Sequence, residues 1–291
     1  MNKFIFGFTT KFLLLTLVVL ITSCASISQN QLPDERSPKH IAVIESLEIG
    51  TSDAQEQDSA QGELIAAQGE LIAAQGELAA ALNVKKKPMV ALTFDDGPGV
   101  YTDSILDILE RYNARATFFV VGNIVHYWPN TLIRAVKNGN EVAGHTWHHA
   151  RLIDLSDKEL ADTIKATSAI IEKITGVSGP LFFRPPYGEI NRRVMNVCAN
   201  LGYALINWTV DPQDWKLLNA NMIYNEVMET VKDNSIVLLH ETLKSTATAV
   251  ERIVPALIEK GYELVTVSEL MSHLYEELKP GTVYGAFGIR H

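Results

Sequence analysis

The sequence predicts an α/β fold with a parallel sheet, either open or closed into a barrel, for the chain from Pro88 onward. Short apolar runs rich in β-branched and aromatic residues alternate with longer amphipathic segments, which is the order of repeating strand–helix units. Chemically active side chains follow several of the apolar runs, and in parallel folds the working residues lie where strands end and loops begin. Both observations favour one domain built around a parallel sheet.

The predicted strands are the short apolar runs at residues 90–94, 116–121, 141–143, 181–183, 204–208, 236–239 and 263–265. The predicted helices alternate with them, at residues 103–111, 129–137, 156–175, 190–201, 220–232, 246–259 and 267–277. Pro129 suits a first helical turn because the N–H that proline lacks has no helical partner there. Ser156 and Glu159 have the spacing of a capping box, and Gly176 ends the same helix.

The first residues have the pattern of an export signal. Lys3 and Lys11 lead into the apolar run FLLLTLVVLITSC, which is too short for a comfortable membrane span. The segment ITSC resembles the bacterial lipoprotein box, in which the cysteine is lipidated and becomes the first residue. We therefore expect a lipoprotein signal peptide at residues 1–23 and a lipid anchor at Cys24, on a protein exported to the periplasm, outer membrane or cell surface. Ordinary signal cleavage near Ser23 or Ala25 is the alternative.

Residues 24–87 are expected to be a tether, because they are polar and carry few large apolar side chains. Within them AQGELIA occurs at residues 60–66 and 67–73, and AQGELAA at residues 74–80. This period of seven aligns Leu64, Leu71 and Leu78, as in a coiled-coil seam. A glycine in every repeat costs about 1 kcal/mol of helix stability. A spacer produced by tandem duplication is therefore favoured over an oligomerising helix, and the domain that follows is expected to be monomeric.

Charge and cysteine content argue against two classes of function. The net charge is −9 and the pI is near 5.4, whereas nucleic-acid binding needs a basic surface. With Cys24 lipidated, Cys198 would have no partner for an internal disulfide. Cys198 lies in the apolar helical pattern VMNVCANLGY, which is typical of a small buried side chain rather than a catalytic thiol.

Titratable side chains collect at the predicted strand ends. In strand order they are Asp95 and Asp96, His145 and His149, Arg184, Asp214, and His240. The carboxyl ends of parallel strands meet at one rim, so we expect these groups to converge. Neighbouring carboxylates repel each other, and a bound cation would make the Asp95–Asp96 pair tolerable.

His145 and His149 are four residues apart, a spacing that on a helical turn lets both rings reach one cation. A carboxylate from Asp95–Asp96 completes a set of two histidines and one carboxylate, which suits Zn²⁺ and also Co²⁺, Ni²⁺ or Fe²⁺. Taken alone, each histidine has a plain explanation as a core or surface side chain. The joint placement of aspartate and histidine at strand ends favours a metal site.

The motifs TFDDGP, HTWHH, RPPYG, DPQDW and LLH occur in this order between Thr93 and His240. Together they resemble the motifs of the polysaccharide deacetylase family, the NodB-like catalytic domain of carbohydrate esterase family 4. The resemblance covers residues 88–270 and implies a distorted (β/α) barrel of about seven strands. We therefore expect a catalytic domain at residues 88–277 and a C-terminal tail at residues 278–291.

The resemblance also implies a role for each matching residue. Asp96, His145 and His149 would hold one divalent metal ion, with Zn²⁺ favoured over Co²⁺ or Ni²⁺. Asp95 would be the general base, and Arg184 would orient it and keep it ionised.

The remaining matching residues would serve the leaving group and the acetyl group. His240 would be the general acid, and Asp214 would raise the pKa of His240. The backbone amide of Tyr187 would donate to the oxyanion, and Trp215 and Leu238 would form apolar walls around the acetyl methyl group.

The implied reaction is the hydrolytic removal of N-acetyl groups from polysaccharide with GlcNAc or MurNAc units, such as peptidoglycan or chitin-like oligosaccharide. A metal ion polarises the carbonyl and activates water, Asp95 takes the water proton, and His240 protonates the leaving nitrogen. The alternatives are an O-acetyl esterase acting on acetylated polysaccharide and a non-catalytic carbohydrate-binding lipoprotein. The presence of both a base and an acid argues against a binding protein, which needs neither.

One position departs from the family pattern. Residue 148 in HTWHH is often small in the family, and here it is His148. The spacing favours His149 as the ligand, which leaves His148 as a pocket-lining group or as a group behind the ligands.

Overall fold

The structure is a computed structural model that describes residues 87–285 and the single residue Gly69, which is helical. The chain divides into two units, Met1–Val84 and Lys85–His291, and every described residue except Gly69 belongs to the second. The predicted signal peptide, Cys24 and nearly all of the tether lie outside the described residues. Within the described part of the chain, no helix is long and apolar enough to cross a membrane.

A curled sheet of parallel strands lies at the centre of the second unit. Its strands are β1 (Met89–Gly97), β2 (Thr117–Val120), β3 (Glu141–Gly144), β4 (Phe182–Phe183), β5 (Ala204–Ile206), β6 (Ser235–His240), β7 (Glu263–Leu264) and β8 (Val283–Tyr284). The order across the sheet is β6–β1–β2–β3–β4–β5–β8, and β7 pairs with the start of β1. The continuous path has seven strands, which confirms the expected distorted barrel.

Helices connect the strands. They are α1 (Thr102–Arg111), α2 (Pro129–Lys137), α3 (Asp157–Thr175), α4 (Arg192–Leu201), α5 (Asp214–Leu217), α6 (Ala220–Thr230), α7 (Lys244–Glu259) and α8 (Val267–Leu274). As predicted, α2 begins at Pro129, and Ser156 and Glu159 form a capping box at the start of α3. Gly176, with φ of 72°, ends α3 in the left-handed conformation that glycine adopts readily.

Strand β1 illustrates how the sheet positions polar side chains. Successive strand residues point to opposite faces. Leu92 and Phe94 pack in the large hydrophobic cluster shared with the helices, whereas Ala91 packs in a second cluster on the other face. Thr93 and Asp95 share the face of Ala91, so the strand carries a buried carboxyl group toward its own end.

Two short elements differ from the predictions. Helix α5 has four residues and β8 has two, and such lengths are too short to show a period in the sequence. β8 lies in the segment expected to be a tail, yet it pairs with β5 at Leu205–Val283 and Ile206–Tyr284. The strand predicted at residues 204–208 ends at Ile206.

Candidate active site

The acidic pair lies at the end of β1, where the strand has a β-bulge. β1 pairs with β2 at Asp95–Phe119 and next at Gly97–Val120, so Asp96 has no partner in this ladder. Asp96 has φ of 71°, which takes its side chain out of the strand alternation. Two adjacent carboxylates therefore face different surroundings.

His145 and His149 approach Asp96 from the segment after β3. The two histidines do not share a helical turn, because residues 145–150 are irregular and both Thr146 and His149 have left-handed backbone, with φ of 66° and 56°. His145 Nδ1 lies 2.8 Å from the Arg184 carbonyl oxygen, so that nitrogen carries the proton and donates it. The other ring nitrogen, Nε2, faces Asp96 Oδ1 at 3.5 Å and is the atom that this ring would offer to a metal ion.

Three possible metal ligands converge at this point. Asp96 Oδ1 lies 3.1 Å from His149 Nε2 and 3.5 Å from His145 Nε2, and the three ligand atoms all lie within 4.8 Å of one another. Burial alone would raise the pKa of Asp96, but the interactions with His145 and His149 outweigh it and hold that pKa well below its usual range. Two imidazole nitrogens and one carboxylate, with His145 already oriented by its second nitrogen, fit a divalent metal ion such as Zn²⁺.

Arg184 follows β4 and is fully buried. Its guanidinium donates to Asp95 Oδ1 and to Thr93 Oγ1, each at 2.7 Å. It also donates to the carbonyl oxygens of Ile206 at 3.2 Å and Asn207 at 3.1 Å. Burial lowers the pKa of Arg184, and Asp95 opposes this effect. The ion pair fixes the Asp95 carboxylate in one orientation beside the histidine–Asp96 cluster.

His240 and Asp214 form a second ion pair. His240 Nδ1 lies 2.7 Å from Asp214 Oδ1, and the His240 backbone N–H donates to Asp214 Oδ2 at 2.7 Å. The fully buried Asp214 also accepts from the Thr246 hydroxyl at 2.6 Å. Burial alone would lower the pKa of His240, but Asp214, with smaller contributions from Asp95 and Asp96, raises it to about 9. The imidazole is therefore protonated at neutral pH.

The register of β1 and β6 brings the two groups together. These strands are neighbours, and Asp95 is the partner of His240 in their pairing. The base and the acid that the sequence predicts thus occupy facing positions on adjacent strands.

The predicted oxyanion donor, Tyr187, and the two predicted walls of the acetyl site, Trp215 and Leu238, differ in exposure. Tyr187 is 60% exposed, has φ of 62°, and places its ring centre 4.8 Å from that of His149. Trp215 directly follows Asp214 and is 56% exposed, whereas Leu238 is buried and lies two residues before His240. One exposed aromatic ring therefore lies against the predicted ligand His149, and the other belongs to the residue that follows Asp214.

His148 lies outside the ligand cluster. It is exposed, and its Nδ1 lies 3.0 Å from Asn123 Nδ2. The structure places His149, as predicted, in the cluster with Asp96.

Thr93, Thr246 and Glu241 contribute to the site although the sequence analysis does not single them out. Thr93 stands two residues before Asp95 on the same face of β1, and strand alternation could have identified it. Thr246 binds Asp214, and Glu241 contacts the acidic turn, which is residues 95–97 at the end of β1. Only the tertiary arrangement reveals these contacts.

Comparison with known proteins finds similarity to polysaccharide and peptidoglycan deacetylases. The family model for polysaccharide deacetylase matches residues 83–206. The chain is 46% identical over 183 residues to the peptidoglycan-N-acetylmuramic acid deacetylase PdaC of Bacillus subtilis, a match that covers 62% of this chain and 38% of that protein. The chain thus spans about two fifths of that relative's length. It is 38% identical over 191 residues to a peptidoglycan-N-acetylglucosamine deacetylase of Bacillus cereus, covering 64% of this chain and 89% of that protein.

Solved structures show the same fold. The structure of PdaC superimposes with a TM-score of 0.61 at 44% identity, covering 64% of this chain and 91% of that one. A family 4 acetyl xylan esterase from Clostridium thermocellum gives a TM-score of 0.62 at 33% identity, covering 67% of this chain and 97% of that one. With the motifs, the barrel and the ligand cluster in agreement, the chain belongs to the polysaccharide deacetylase family.

Proposed function

We propose that this chain is a metal-dependent hydrolase that removes N-acetyl groups from cell-wall glycans built of N-acetylglucosamine or N-acetylmuramic acid units. The observation that carries this proposal is the pairing of Asp95 with His240 beside the cluster of Asp96, His145 and His149. A base, an acid and three metal ligands at one end of a sheet are the groups that amide hydrolysis requires.

A divalent ion held by Asp96, His145 and His149 would polarise the acetyl carbonyl and favour ionisation of water. Asp95 accepts the proton of the attacking water while Arg184 stabilises its negative charge. The water oxygen bonds to the acetyl carbon, and the Tyr187 backbone N–H donates to the resulting oxyanion. Protonated His240 then donates its proton to the departing nitrogen, which releases acetate and a free amine.

The relatives and the rim of the site support this substrate class. Both curated relatives described above are named as peptidoglycan deacetylases, which supports a cell-wall glycan. Tyr187 and Trp215 offer exposed aromatic faces on which the apolar sides of sugar rings can pack.

We propose the cell envelope as the location. A cell-wall substrate lies outside the cytoplasm, where a signal peptide at residues 1–23 and a lipid on Cys24 would deliver and hold the enzyme. Residues 24–87 would then be a tether that lets a monomeric catalytic domain reach the glycan. We extend that domain from Pro88 past β8, because β8 pairs with β5.

An O-acetyl esterase is the second candidate function, and the similarity to the Clostridium thermocellum acetyl xylan esterase supports it. An ester has a better leaving group than an amide and depends less on protonation by His240. A substrate panel therefore separates the two functions.

The test is acetate release from N-acetylated glycan strands, chitooligosaccharides and O-acetylated xylan, followed by mass spectrometry. The wild-type protein should remove N-acetyl groups, and Asp95→Asn should lower kcat by about 100-fold or more, since the base is lost. Asp107→Asn removes an exposed carboxylate on α1 and is the matched control, with kcat unchanged. Activity on O-acetyl esters alone would favour the esterase, and full activity of Asp95→Asn would contradict the mechanism.

A further inference from the structure

Glu241 directly follows His240 and is fully buried. Its Oε2 accepts a hydrogen bond from the Thr102 hydroxyl, whose oxygen in turn accepts from the Gly99 N–H at 2.8 Å. The Glu241 backbone N–H donates to the Asp95 carbonyl oxygen at 3.3 Å. One residue therefore joins the end of β6, the end of β1 and the first residue of α1.

The Glu241 side chain also packs directly against the acidic turn. A Cβ added at Gly97 would overlap the Glu241 carboxyl group. Gly97 is the residue at which β1 rejoins its pairing with β2 after the bulge at Asp96. The Glu241 carboxyl group thus fills the space behind the bulge, which a side chain at residue 97 would otherwise occupy.

We propose that Glu241 is a positioning residue of the deacetylation site, and that its buried carboxyl group holds the Asp95–Asp96 turn in place against the strand end that carries His240. This inference rests on the proposed function, because the spacing of Asp95 and His240 affects rate only if both act on one acetyl group. A displacement of about 1 Å in such a geometry can cost about 100-fold in rate.

The surroundings of Glu241 favour its neutral form. Burial is the largest influence and raises its pKa to about 8, with Asp95 and Asp96 adding to the rise and the Thr102 hydrogen bond opposing it. Its Oε1 is buried without a hydrogen-bond partner among the described residues, which is less costly for a neutral carboxyl group than for a carboxylate. Glutamine therefore preserves the size, the charge and the contact with Thr102, whereas alanine removes the support.

Glu141 provides a matched control at the opposite end of the sheet. It is the first residue of β3, and it accepts hydrogen bonds from the Thr117 hydroxyl at 2.8 Å and the Ser268 N–H at 3.2 Å. Burial raises its pKa as well. It shares the chemistry of Glu241 but lies at the amino-terminal end of the parallel strands, where no predicted catalytic residue lies.

The experiment measures kcat, KM and Tm for acetate release from N-acetylglucosamine oligomers. Glu241→Ala should lower kcat by about 10- to 100-fold with KM within about twofold of wild type. Glu241→Gln should keep kcat within about threefold. Glu141→Ala should lower Tm, and both Glu141→Ala and Glu141→Gln should leave kcat unchanged, because Glu141 lies away from the predicted catalytic residues.

A Glu241→Ala protein with a lower Tm but the kcat of wild type would overturn the inference. A hundredfold loss of kcat in Glu241→Gln would overturn it as well. If Glu241→Ala does not fold, Gly97→Ala provides the second test, because its methyl group displaces the Glu241 carboxyl from the side of the turn. It should lower kcat with KM retained, and an unchanged kcat would overturn the inference. A wild-type protein that releases no acetate would contradict the proposed function instead, and is thereby distinguishable.

Discussion

Asp95 and Asp96 are adjacent in sequence but face separate electrostatic environments. Asp95 is 3% exposed and paired with the buried Arg184, whereas the Asp96 side chain is 33% exposed and faces two histidines. The sequence predicts both residues as functional. It does not predict the bulge that separates them, because a bulge arises from the pairing of β1 with β2 rather than from the local pattern.

The charge of His240 gives a prediction about pH. Burial would lower the pKa of His240, but Asp214, Asp95 and Asp96 outweigh it and raise that pKa from 6.5 to about 9. The stability contributed by the protonated imidazole is therefore complete below about pH 6.5 and is lost as pH rises through about 9. Asp214→Asn should lower that pKa, so the alkaline limb of the kcat profile should move to lower pH. NMR titration of the His240 ring, with the kcat profile, measures both effects.

Asp233→Asn is the control for this experiment. Asp233 lies just before β6 and accepts a hydrogen bond from the Met89 N–H at the start of β1. This contact is at the opposite end of the two paired strands from Asp95 and His240. Its removal should leave the alkaline limb in place. An Asp214→Asn protein with the profile and ring titration of wild type would show that Asp214 does not set the charge of His240.

At the scale of elements, the strands and the longer helices follow the sequence pattern closely. The helix at residues 129–137 and the capping box at Ser156 occur as predicted, because caps and amphipathic periods are local signals. The segment of His145 and His149 does not form the helical turn that their spacing would suit. Its left-handed residues, Thr146 and His149, are held by tertiary contacts such as the hydrogen bond from the Trp147 N–H to Thr163 Oγ1.

Strand β8 gives a second prediction. Tyr284 is 8% exposed, its hydroxyl accepts from the Lys279 N–H at 2.9 Å, and its carbonyl accepts from the Asn207 N–H at 2.7 Å. Tyr284→Ala should lower the free energy of unfolding by about 3 kcal/mol in urea denaturation, because it leaves a cavity beside β5. Tyr127→Ala, at a site 71% exposed, should change it by less than about 0.5 kcal/mol. If Tyr284→Ala and Tyr127→Ala both change the free energy of unfolding by less than about 0.5 kcal/mol, residues 278–291 are the tail that the sequence suggests.

At the scale of the whole molecule, the parallel sheet explains how five separated motifs form one site. Each motif follows a strand or lies just beyond one, and the strand order places β1 between β6 and β2. Asp95 and His240 therefore meet although most of the domain separates them in sequence. The order of the motifs predicts the convergence. The register, the tautomer of His145 and the role of Glu241 depend on packing between elements, which no single stretch of sequence encodes.

The titration of chelator-treated protein with Zn²⁺, monitored by acetate release from peptidoglycan strands, tests the central claim most directly. If Asp96, His145 and His149 hold the required ion, the treated wild-type protein should be inactive and should recover with one equivalent of metal. His148→Ala should recover its activity at the same metal concentration as wild type, because the exposed His148 side chain lies outside the cluster. His149→Ala should stay at least about 100-fold less active than wild type, because it has lost a metal ligand. Full activity of the metal-free protein, or a requirement for His148 in place of His149, would contradict the claim.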